Sequence, residues 1–313
     1  MSSVVVDLKS FAKINLGIEI TGKRADGYHT LRTIFQTIDL FDRIRIRKNR
    51  SGRVSLSGDH PGIDWSRNNT ILKAVDIVHR SYPVVRGLTI EVHKAIPPGS
   101  GLGGGSSNAG VILLFLNDYF GLNIPPNQLT AMASHVGADV PFFLCGGTAM
   151  GEGIGEKLIP VEQIVNQPVA LFIPPIFVST QEIFSRFNLT KRRFASKIKT
   201  FLKGRDFSVL ENELESVAFR LFPEIREIKG KMENGGCFFV QMSGSGSAVY
   251  GLGTAKTLLR LKKLLPGVLL TRTIDSGQYR ENIGVSPSGK ASAFGADIRR
   301  FESFHPREKY GQK

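Results

Sequence analysis

The chain has 313 residues, 41 basic and 27 acidic side chains, a formal net charge of +14 and 34 glycines. Hydrophobic content of 41% and charged content of 22% are globular values that exclude wholesale disorder, and no apolar stretch approaches the ~18–20 residues of a membrane span. Two cysteines, Cys145 and Cys237, supply neither a disulfide framework nor a metal cluster, and Asp7 and Lys9 interrupt the N-terminal apolar cluster that a secretory signal needs, so a soluble protein of a reducing compartment is expected.

Residues 12–18 alternate apolar and polar side chains with the period of a strand, and 33–40 and 88–92 read the same way. Arg43, Arg45 and Arg47 alternate with Ile44 and Ile46, the pattern of a strand with one basic and one apolar face. Helical spacing predicts helices over about 69–80, 107–120 and 127–136. The Pro174-Pro175 pair closes a passage, 166–175, into a second unit. There, strands near 169–173, 238–242, 247–252 and 267–272 interleave with helices near 206–219, 223–233 and 254–265, an order that suggests a small α+β sandwich of the split βαβ type. Phe194, Ile198, Phe201 and Leu202 follow an i, i+4, i+7, i+8 pattern under a basic face, as on an amphipathic helix. After Thr273 the chain turns polar and loses periodicity. The expected organisation is one unit over 1–160, a second over 161–275 and a weakly ordered tail over 276–313.

The positive surplus is concentrated. Residues 41–53 hold six basic residues and one acidic, and residues 186–205 hold eight basic and none acidic, together 13 of the 14 surplus charges. Nucleic-acid binding is the sharp reading of such patches; solvated faces that ease the approach of small anions are the plainer one. Neither run spaces aromatics for base stacking or carries a zinc or recognition-helix signature. No nucleic-acid partner and no membrane partner is expected.

The most informative stretch is Pro97-Pro98-Gly99-Ser100-Gly101-Leu102-Gly103-Gly104-Gly105-Ser106-Ser107-Asn108, after a strand pattern and before a helical one. Its glycines leave no Cβ atoms to block close approach and permit positive φ. Successive amides can then line a concavity at the positive end of the following helix, which suits a phosphate. Ser106 and Ser107 are candidates to cap that helix or to give hydroxyls to phosphate or Mg²⁺. No Gly-x-x-x-x-Gly-Lys-Ser/Thr occurs, which excludes a P-loop. Gly99-x-Gly101-x-x-Gly104 matches the dinucleotide fingerprint only formally, because two prolines separate it from the strand and Asp118 falls inside a helix pattern.

This loop resembles the second motif of the GHMP kinase superfamily, whose members bind ATP phosphates on a glycine-rich loop and helix N-terminus. Phe11-Ala12-Lys13-Ile14-Asn15-Leu16, Arg24-Ala25-Asp26-Gly27-Tyr28-His29-Thr30-Leu31, Gly137-Ala138-Asp139-Val140-Pro141-Phe142-Phe143 and Gly151-Glu152-Gly153-Ile154-Gly155-Glu156 are similar to one branch of it. The acceptor of that branch is 4-diphosphocytidyl-2-C-methylerythritol, on the non-mevalonate route to isoprenoid precursors. Ser243-Gly244-Ser245-Gly246-Ser247 is similar to the third superfamily motif, and the resemblance runs in order from about residue 8 to 273. It implies a two-domain α+β fold, with an N-terminal ATP-binding α/β domain of the ribosomal protein S5 domain 2 type and a ferredoxin-like C-terminal domain. It also implies a bacterial cytoplasmic enzyme, monomer or homodimer, that moves the γ-phosphoryl of ATP, as its Mg²⁺ complex, to the acceptor's 2-hydroxyl. Ser100 and Gly110 are modest departures. Gly110, early in a helix, costs up to roughly 1 kcal/mol locally, with no chemical consequence visible in the sequence.

An alcohol kinase needs a hydroxyl activated for attack and a stabiliser for charge on the moving phosphoryl group. The resemblance implies Asp139 as the base, in the apolar setting of Ala138 and Val140-Pro141; an Asp capping the turn before Pro141 is the plainer reading. Lys13 and Asn15, two apart in a strand, project to one face while Ala12, Ile14 and Leu16 fill the other. A lone strand lysine is ordinarily an edge solubiliser; the resemblance puts Lys13 beside Asp139, polarising the hydroxyl, and Asn15 on the substrate. Tyr28 and His29 follow the turn signal Asp26-Gly27 and are implied to hold cytosine by stacking and by its polar edge. Phe184 is the implied opposing aromatic, with Phe187 on the same helix as the rival, and Thr180 is implied at the diphosphate. Lys94, just before the glycine loop, and Asn69, at a helix start, join residues 97–107 as nucleotide candidates. His60, His79, His93, His135 and His305 form no metal-ligand spacing, and no metal ligand is assigned. Two alternatives stand beside this reading: a superfamily kinase acting on another small alcohol, and a basic nucleic-acid-binding protein that retains the fold.

Overall fold

The alternating segments near the N-terminus pair as one long hairpin. β1 (Val5–Lys23) and β2 (His29–Lys48) run antiparallel through a turn in which Gly27 adopts φ +89°, a left-handed position that suits glycine. Both strands outrun their predicted lengths. Register shifts between Phe11 and Ala12, Asn15 and Gly17, and Ile20 and Gly22 bend the hairpin across two cores instead of ending it. The computed structural model describes residues 5–66, 68–189 and 195–285.

β3 (Ser55–Gly58), α1 (Thr70–Ser81) and β4 (Leu88–His93) form a parallel crossover beside the hairpin. Asn69 caps α1 by accepting from the Ile71 amide, and Ile71, Ala74, Val75 and Val78 make its buried stripe. α2 (Gly104–Tyr119) is apolar nearly all round and is buried from Ser107 to Leu116, as such a helix must be. α3 (Pro126–Val136) follows, then a 3-10 turn over Val140–Leu144 whose five side chains are all buried. β5 (Thr148–Glu152) and β6 (Lys157–Pro160) complete this end of the sheet against the first half of β2.

The second sheet is built from β7 (Pro168–Phe172), β8 (Phe239–Met242), β9 (Val249–Leu252) and β10 (Leu269–Arg272). Between these strands come α4 (Thr180–Ser185), α5 (Lys197–Gly204), α6 (Glu215–Leu221), α7 (Pro223–Asn234) and α8 (Ala255–Leu264). Its antiparallel order β10-β7-β9-β8 is the ferredoxin-like arrangement. On α5, Ile198 and Phe201 are buried as the spacing predicted; Phe194, from the same pattern, lies outside the described residues. The helix predicted over 206–219 is interrupted. Asp206 caps a short 3-10 turn through Ser208, and Asn212 bridges to Ile18 while donating to the carbonyls of Met242 and Gly244 at 2.9 and 2.7 Å. The Ile18 amide donates to Glu211 O at 2.9 Å and the Glu213 amide to Ile18 O at 3.1 Å, and these strand-like bonds take the backbone away from a helix until Glu215.

Residues 276–285 depart from the weakly ordered tail expected from composition. Asp275 and Gln278 form a capping box for α9 (Ser276–Asn282), and β11 (Gly284–Val285) pairs with β1 as the edge of the first sheet. Tyr279 and Ile283 bury completely in the first core, a contribution too short to register as periodicity. Residues 286–313 of that expected tail lie outside the described residues.

The first core lies between the first sheet and α1–α3. A second is shared by both sheets: Ala12, Ile14, Leu16, Ile34 and Ile38 of the hairpin meet Val169, Leu171, Tyr250 and Leu252. Among the described residues no helix is long and apolar enough to cross a membrane.

Candidate active site

A cavity of about 1180 Å³ opens where the hairpin, the glycine loop and the loop 243–247 meet. Gly99, Gly101 and Gly103 take φ of +68°, +77° and +72°, and this left-handed recurrence curls the backbone into the kind of concavity that binds anions. The loop's carbonyls are turned into the protein. Gly99 O accepts from the Val178 amide (3.4 Å), Ser100 O from Ala248 (3.0 Å), Gly101 O from Ser243 Oγ (2.9 Å) and Leu102 O from Lys13 (3.0 Å). The first turn of α2 leaves its own amides without intrahelical acceptors. A Cβ at Gly101 would lie 2.0 Å from Ser243 O, so glycine there is what lets the two glycine motifs zip together.

Lys13 and Asn15 project from β1 to the cavity face, as their spacing predicted, and are both buried. Lys13 Nζ donates to Asn15 Oδ1 at 2.5 Å, Asn15 Nδ2 to Thr33 Oγ1 at 2.8 Å, and Tyr250 holds the Asn15 carbonyl at 2.9 Å. Asp139 Oδ2 lies 3.5 Å from Lys13 Nζ with its side chain 32% exposed to the cavity, so it is paired yet reachable. Burial pushes the Lys13 ammonium below its ordinary range, and Asp139 pulls it back up. Lys94 meets the fully buried Asp42, whose other oxygen accepts from the amides of Ala95 (2.8 Å) and Ile96 (2.9 Å). Burial pushes the Asp42 carboxyl up against the pull of Lys94 and those amides.

At the other end, Tyr28 is 63% exposed on the hairpin turn, while His29 is buried with its ring 5.7 Å from Phe184 and 6.0 Å from Phe187. Burial, with Lys23 nearby, lowers the His29 pKa. Thr180 and Ser245 share a hydrogen bond of 2.9 Å on the wall between the two ends.

Comparison with known proteins gives this geometry a family. Residues 69–147 match the N-terminal domain of GHMP kinases and residues 198–262 their C-terminal domain. The chain is 36% identical over 272 residues to the 4-diphosphocytidyl-2-C-methyl-D-erythritol kinase of Persephonella marina, covering 85% of this chain and 98% of that protein. It is 34% identical over 281 residues to the kinase of that name from Clostridium botulinum, covering 86% of this chain and all of the relative, 100%. The chain belongs to the 4-diphosphocytidyl-2-C-methyl-D-erythritol kinase family. A crystal structure of 4-(cytidine 5'-diphospho)-2C-methyl-D-erythritol kinase superposes with a TM-score of 0.74 at 33% identity, over 86% of this chain and 99% of that one. Homoserine kinase from Cytophaga hutchinsonii, at 16% identity and a TM-score of 0.68 over 87% and 95%, shares the fold.

In this member of the 4-diphosphocytidyl-2-C-methyl-D-erythritol kinase family, most residues singled out from sequence line one cavity: Lys13, Asn15, Tyr28, His29, Asn69, Lys94, Asp139, Thr180, Phe184 and the stretch 97–106 apart from Leu102. Two do not. Leu102 is fully buried in the core shared by the two sheets, and the Ser107 hydroxyl accepts from Ser10 Oγ at 2.7 Å in the interior. Neither Ser106 nor Ser107 caps α2; the cap is Gly103 in the left-handed region, and the helix starts earlier than its pattern predicted because glycines carry no pattern. Ser100 turns its hydroxyl onto the Pro97 carbonyl at 2.7 Å and meets the cavity through backbone. Asn69 spends its side chain capping α1, with Oδ1 on the Ile71 amide and Nδ2 on Asp64 O. Sequence reasoning missed Thr33 and Phe35, placed opposite β1 by the hairpin register, and Trp65 and Asn68, loop residues at the cavity edge. Period-two spacing from Leu31 would have found the first pair. Nothing local marks the second.

Proposed function

We propose that the chain transfers the γ-phosphoryl group of ATP to the 2-hydroxyl of 4-diphosphocytidyl-2-C-methylerythritol, giving the 2-phosphate and ADP, in the bacterial cytoplasm. The observation that carries this reading is the Lys13–Asp139 pair, 3.5 Å apart, on a cavity wall between a glycine loop and an aromatic end. The polyphosphate lies along the amides of 99–106 and the positive end of α2. Tyr28 stacks on cytosine, His29 meets the polar edge of the base, Phe184 closes the pocket, and Thr180 reaches the diphosphate. The acceptor oxygen bonds to the γ-phosphorus as the bond to the β-bridging oxygen breaks, ADP departs with that electron pair, and the hydroxyl proton passes to Asp139. Lys13 holds the carboxylate in place and stabilises charge on the moving group, with Asn15 fixing the lysine. ATP is taken as its Mg²⁺ complex. Among the described residues no three His, Cys, Asp or Glu side chains converge on a metal position; Mg²⁺ needs few protein ligands when it arrives on phosphates, and Ser106 is the serine hydroxyl on the cavity side of the loop.

Asp139→Ala tests the assignment in a coupled ADP-release assay with this acceptor. Turnover should fall at least ~10²-fold, the scale of general-base catalysis, while ATP still binds; near-full activity in a folded variant would refute it. Competition by CMP or CDP separates this acceptor from another small alcohol, which would make no demand for cytidine.

A further inference from the structure

Asp42 shares the parity of Ile44 and Ile46 on β2 and faces the core with them, 0% exposed. A carboxylate on an apolar face is retained only where it is fully paired, and the partners of this one belong to a single structure. Oδ1 accepts from the amides of Ala95 and Ile96, at 2.8 and 2.9 Å, where the chain enters the glycine loop. Oδ2 meets Lys94 Nζ. In the amide orientation that satisfies its neighbours, Asn108 Nδ2 lies 2.8 Å from the same oxygen, one turn after the loop becomes α2.

We propose that Asp42 is a positioning residue for the nucleotide: one buried carboxylate clamps both ends of the glycine loop and holds Lys94 at its phosphate face. Lys94 is 5% exposed and lines the cavity. A Cβ built on Gly104, the first residue of α2, would lie 3.0 Å from its Nζ. The ammonium therefore sits at the positive end of a helix, where a cation is disfavoured without a counter-charge. Asp42 supplies that counter-charge from behind, so the ammonium and the helix end can present themselves together to an anion from the cavity. A carboxylate in front would compete with the phosphates; one behind the loop does not.

This inference rests on the reading that ATP occupies the glycine loop, and the test keeps the two apart. ATP binding by calorimetry and steady-state kinetics are measured on the full chain as wild type, Asp42→Asn, Asn108→Ala, Lys94→Met and the Asp42→Asn/Lys94→Met pair. An amide at 42 keeps an oxygen for the two backbone donors and points N–H groups at Lys94 and Asn108. Asp42→Asn should raise the ATP Kd and KM at least ~10-fold, the scale of breaking a buried charge pair, with the acceptor KM within about twofold of wild type. Asn108→Ala should raise the ATP values by about threefold, the scale of one hydrogen bond, and Asp42→Asn should add little once Lys94 is already Met. Unchanged ATP affinity in folded Asp42→Asn, or equal increases in the KM values of ATP and acceptor, would overturn the proposal. Should Asp42→Asn fail to fold, Asn108→Ala decides by the same readout, and unchanged ATP affinity there overturns it. Wild type that does not bind ATP would strike the reading of the loop and this inference with it, whereas unchanged affinity in folded Asp42→Asn beside a wild type that binds ATP strikes the inference alone.

Discussion

Gly110→Ala sets two effects of opposite sign against each other. In an α-helix the change gains up to ~1 kcal/mol of helix propensity. The new Cβ, however, would lie 2.7 Å from Phe143 Cβ and 3.3 Å from both the carbonyl carbon and the oxygen of Phe143. Carbon atoms pack at ~3.5–4.0 Å, so α2 and the 3-10 turn must part by about 1 Å. Overpacking of this kind costs ~1–3 kcal/mol, which leaves a net loss of ~0–2 kcal/mol after the helical gain. The consequence for chemistry is larger. The residue before that turn is Asp139, held 3.5 Å from Lys13, and a displacement of about 1 Å costs on the order of 10²-fold in rate. α2 itself is tethered at its start by the Ser10–Ser107 bond of 2.7 Å, so the 3-10 turn is the part that yields. The expected outcome is a small fall in Tm, an ATP KM near wild type, and a kcat in the coupled ADP-release assay lowered by ~10- to 100-fold. A folded variant with kcat within about twofold of wild type would refute the reasoning, because the turn would then absorb a methyl group without moving the carboxylate.

The same turn is held from the other side by Tyr279, whose fully buried hydroxyl donates to Phe143 O at 2.6 Å. Tyr279→Phe leaves that carbonyl unsatisfied, a loss of ~1–3 kcal/mol in unfolding free energy, and kcat should fall severalfold without change in the ATP KM; thermal melts and ADP release check both, and an unaltered Tm sinks the idea. His29 supplies a pH dependence. Burial and Lys23 lower its folded pKa, so above the unfolded value near ~6.5 it is neutral in both states. As pH falls below that value the unfolded chain takes up the proton first, and stability is lost until the folded pKa is passed, at no more than ~1.4 kcal/mol per pH unit. Chemical unfolding of wild type and His29→Gln between pH 7.5 and 5 should show that extra loss in wild type alone, and parallel curves would contradict it.

The strongly patterned segments were legible. Lys13 and Asn15 reached the cavity because strand parity is a covalent fact, and α1 carried its own cap and stripe in Asn69, Ile71, Ala74, Val75 and Val78. The glycine loop was marked by its composition, and the structure places it on the cavity with Gly99, Gly101 and Gly103 at positive φ. What escaped was decided at long range. The register shifts that extend the hairpin depend on two cores forming on one ribbon, and the chain around Asn212 leaves a helix because its backbone bonds instead to Ile18 of the hairpin. The stretch 276–285 shows no period of its own; Tyr279 folds into a slot that exists only because Gly146 has no side chain, with a Cβ there 2.3 Å from the tyrosine ring. Gly110 looked like a local cost because its reason, Phe143, lies 33 residues on.

The charge of +14 is redistributed by the fold in a way that bears on how an anion is recognised. The two basic runs acquire carboxylates from elsewhere: Asp7 and Glu91 on Arg45 and Arg47, Glu182 on Arg186, Glu211 on Lys197 and Glu162 on Arg205. Arg43 lies over Phe41 and Lys48 over Phe120. Such exposed pairs stabilise by only ~0–1 kcal/mol each, but they mute the runs as attractors; Lys191, Arg192 and Arg193 lie outside the described residues. The cavity is not where the surplus reappears, for its lining holds Lys13, Lys23 and Lys94 against Asp26, Asp64 and Asp139. With formal charges balanced, recognition of a polyphosphate depends on which charges face it and at what range. Asp139 is opposed by Lys13, Asp26 is taken by Arg24 at 2.7 Å, and Asp42 compensates Lys94 from beneath the loop. The amides at the start of α2 and the Lys94 ammonium are then left facing inward. Interactions between charges are largely screened beyond a Debye length of ~8 Å at physiological salt, so contacts at this range survive where long-range steering by a diffuse +14 does not. On the proposed reading, the placement of an anion therefore rests less on the net charge than on the local pairing of Lys94 with Asp42 beneath the glycine loop.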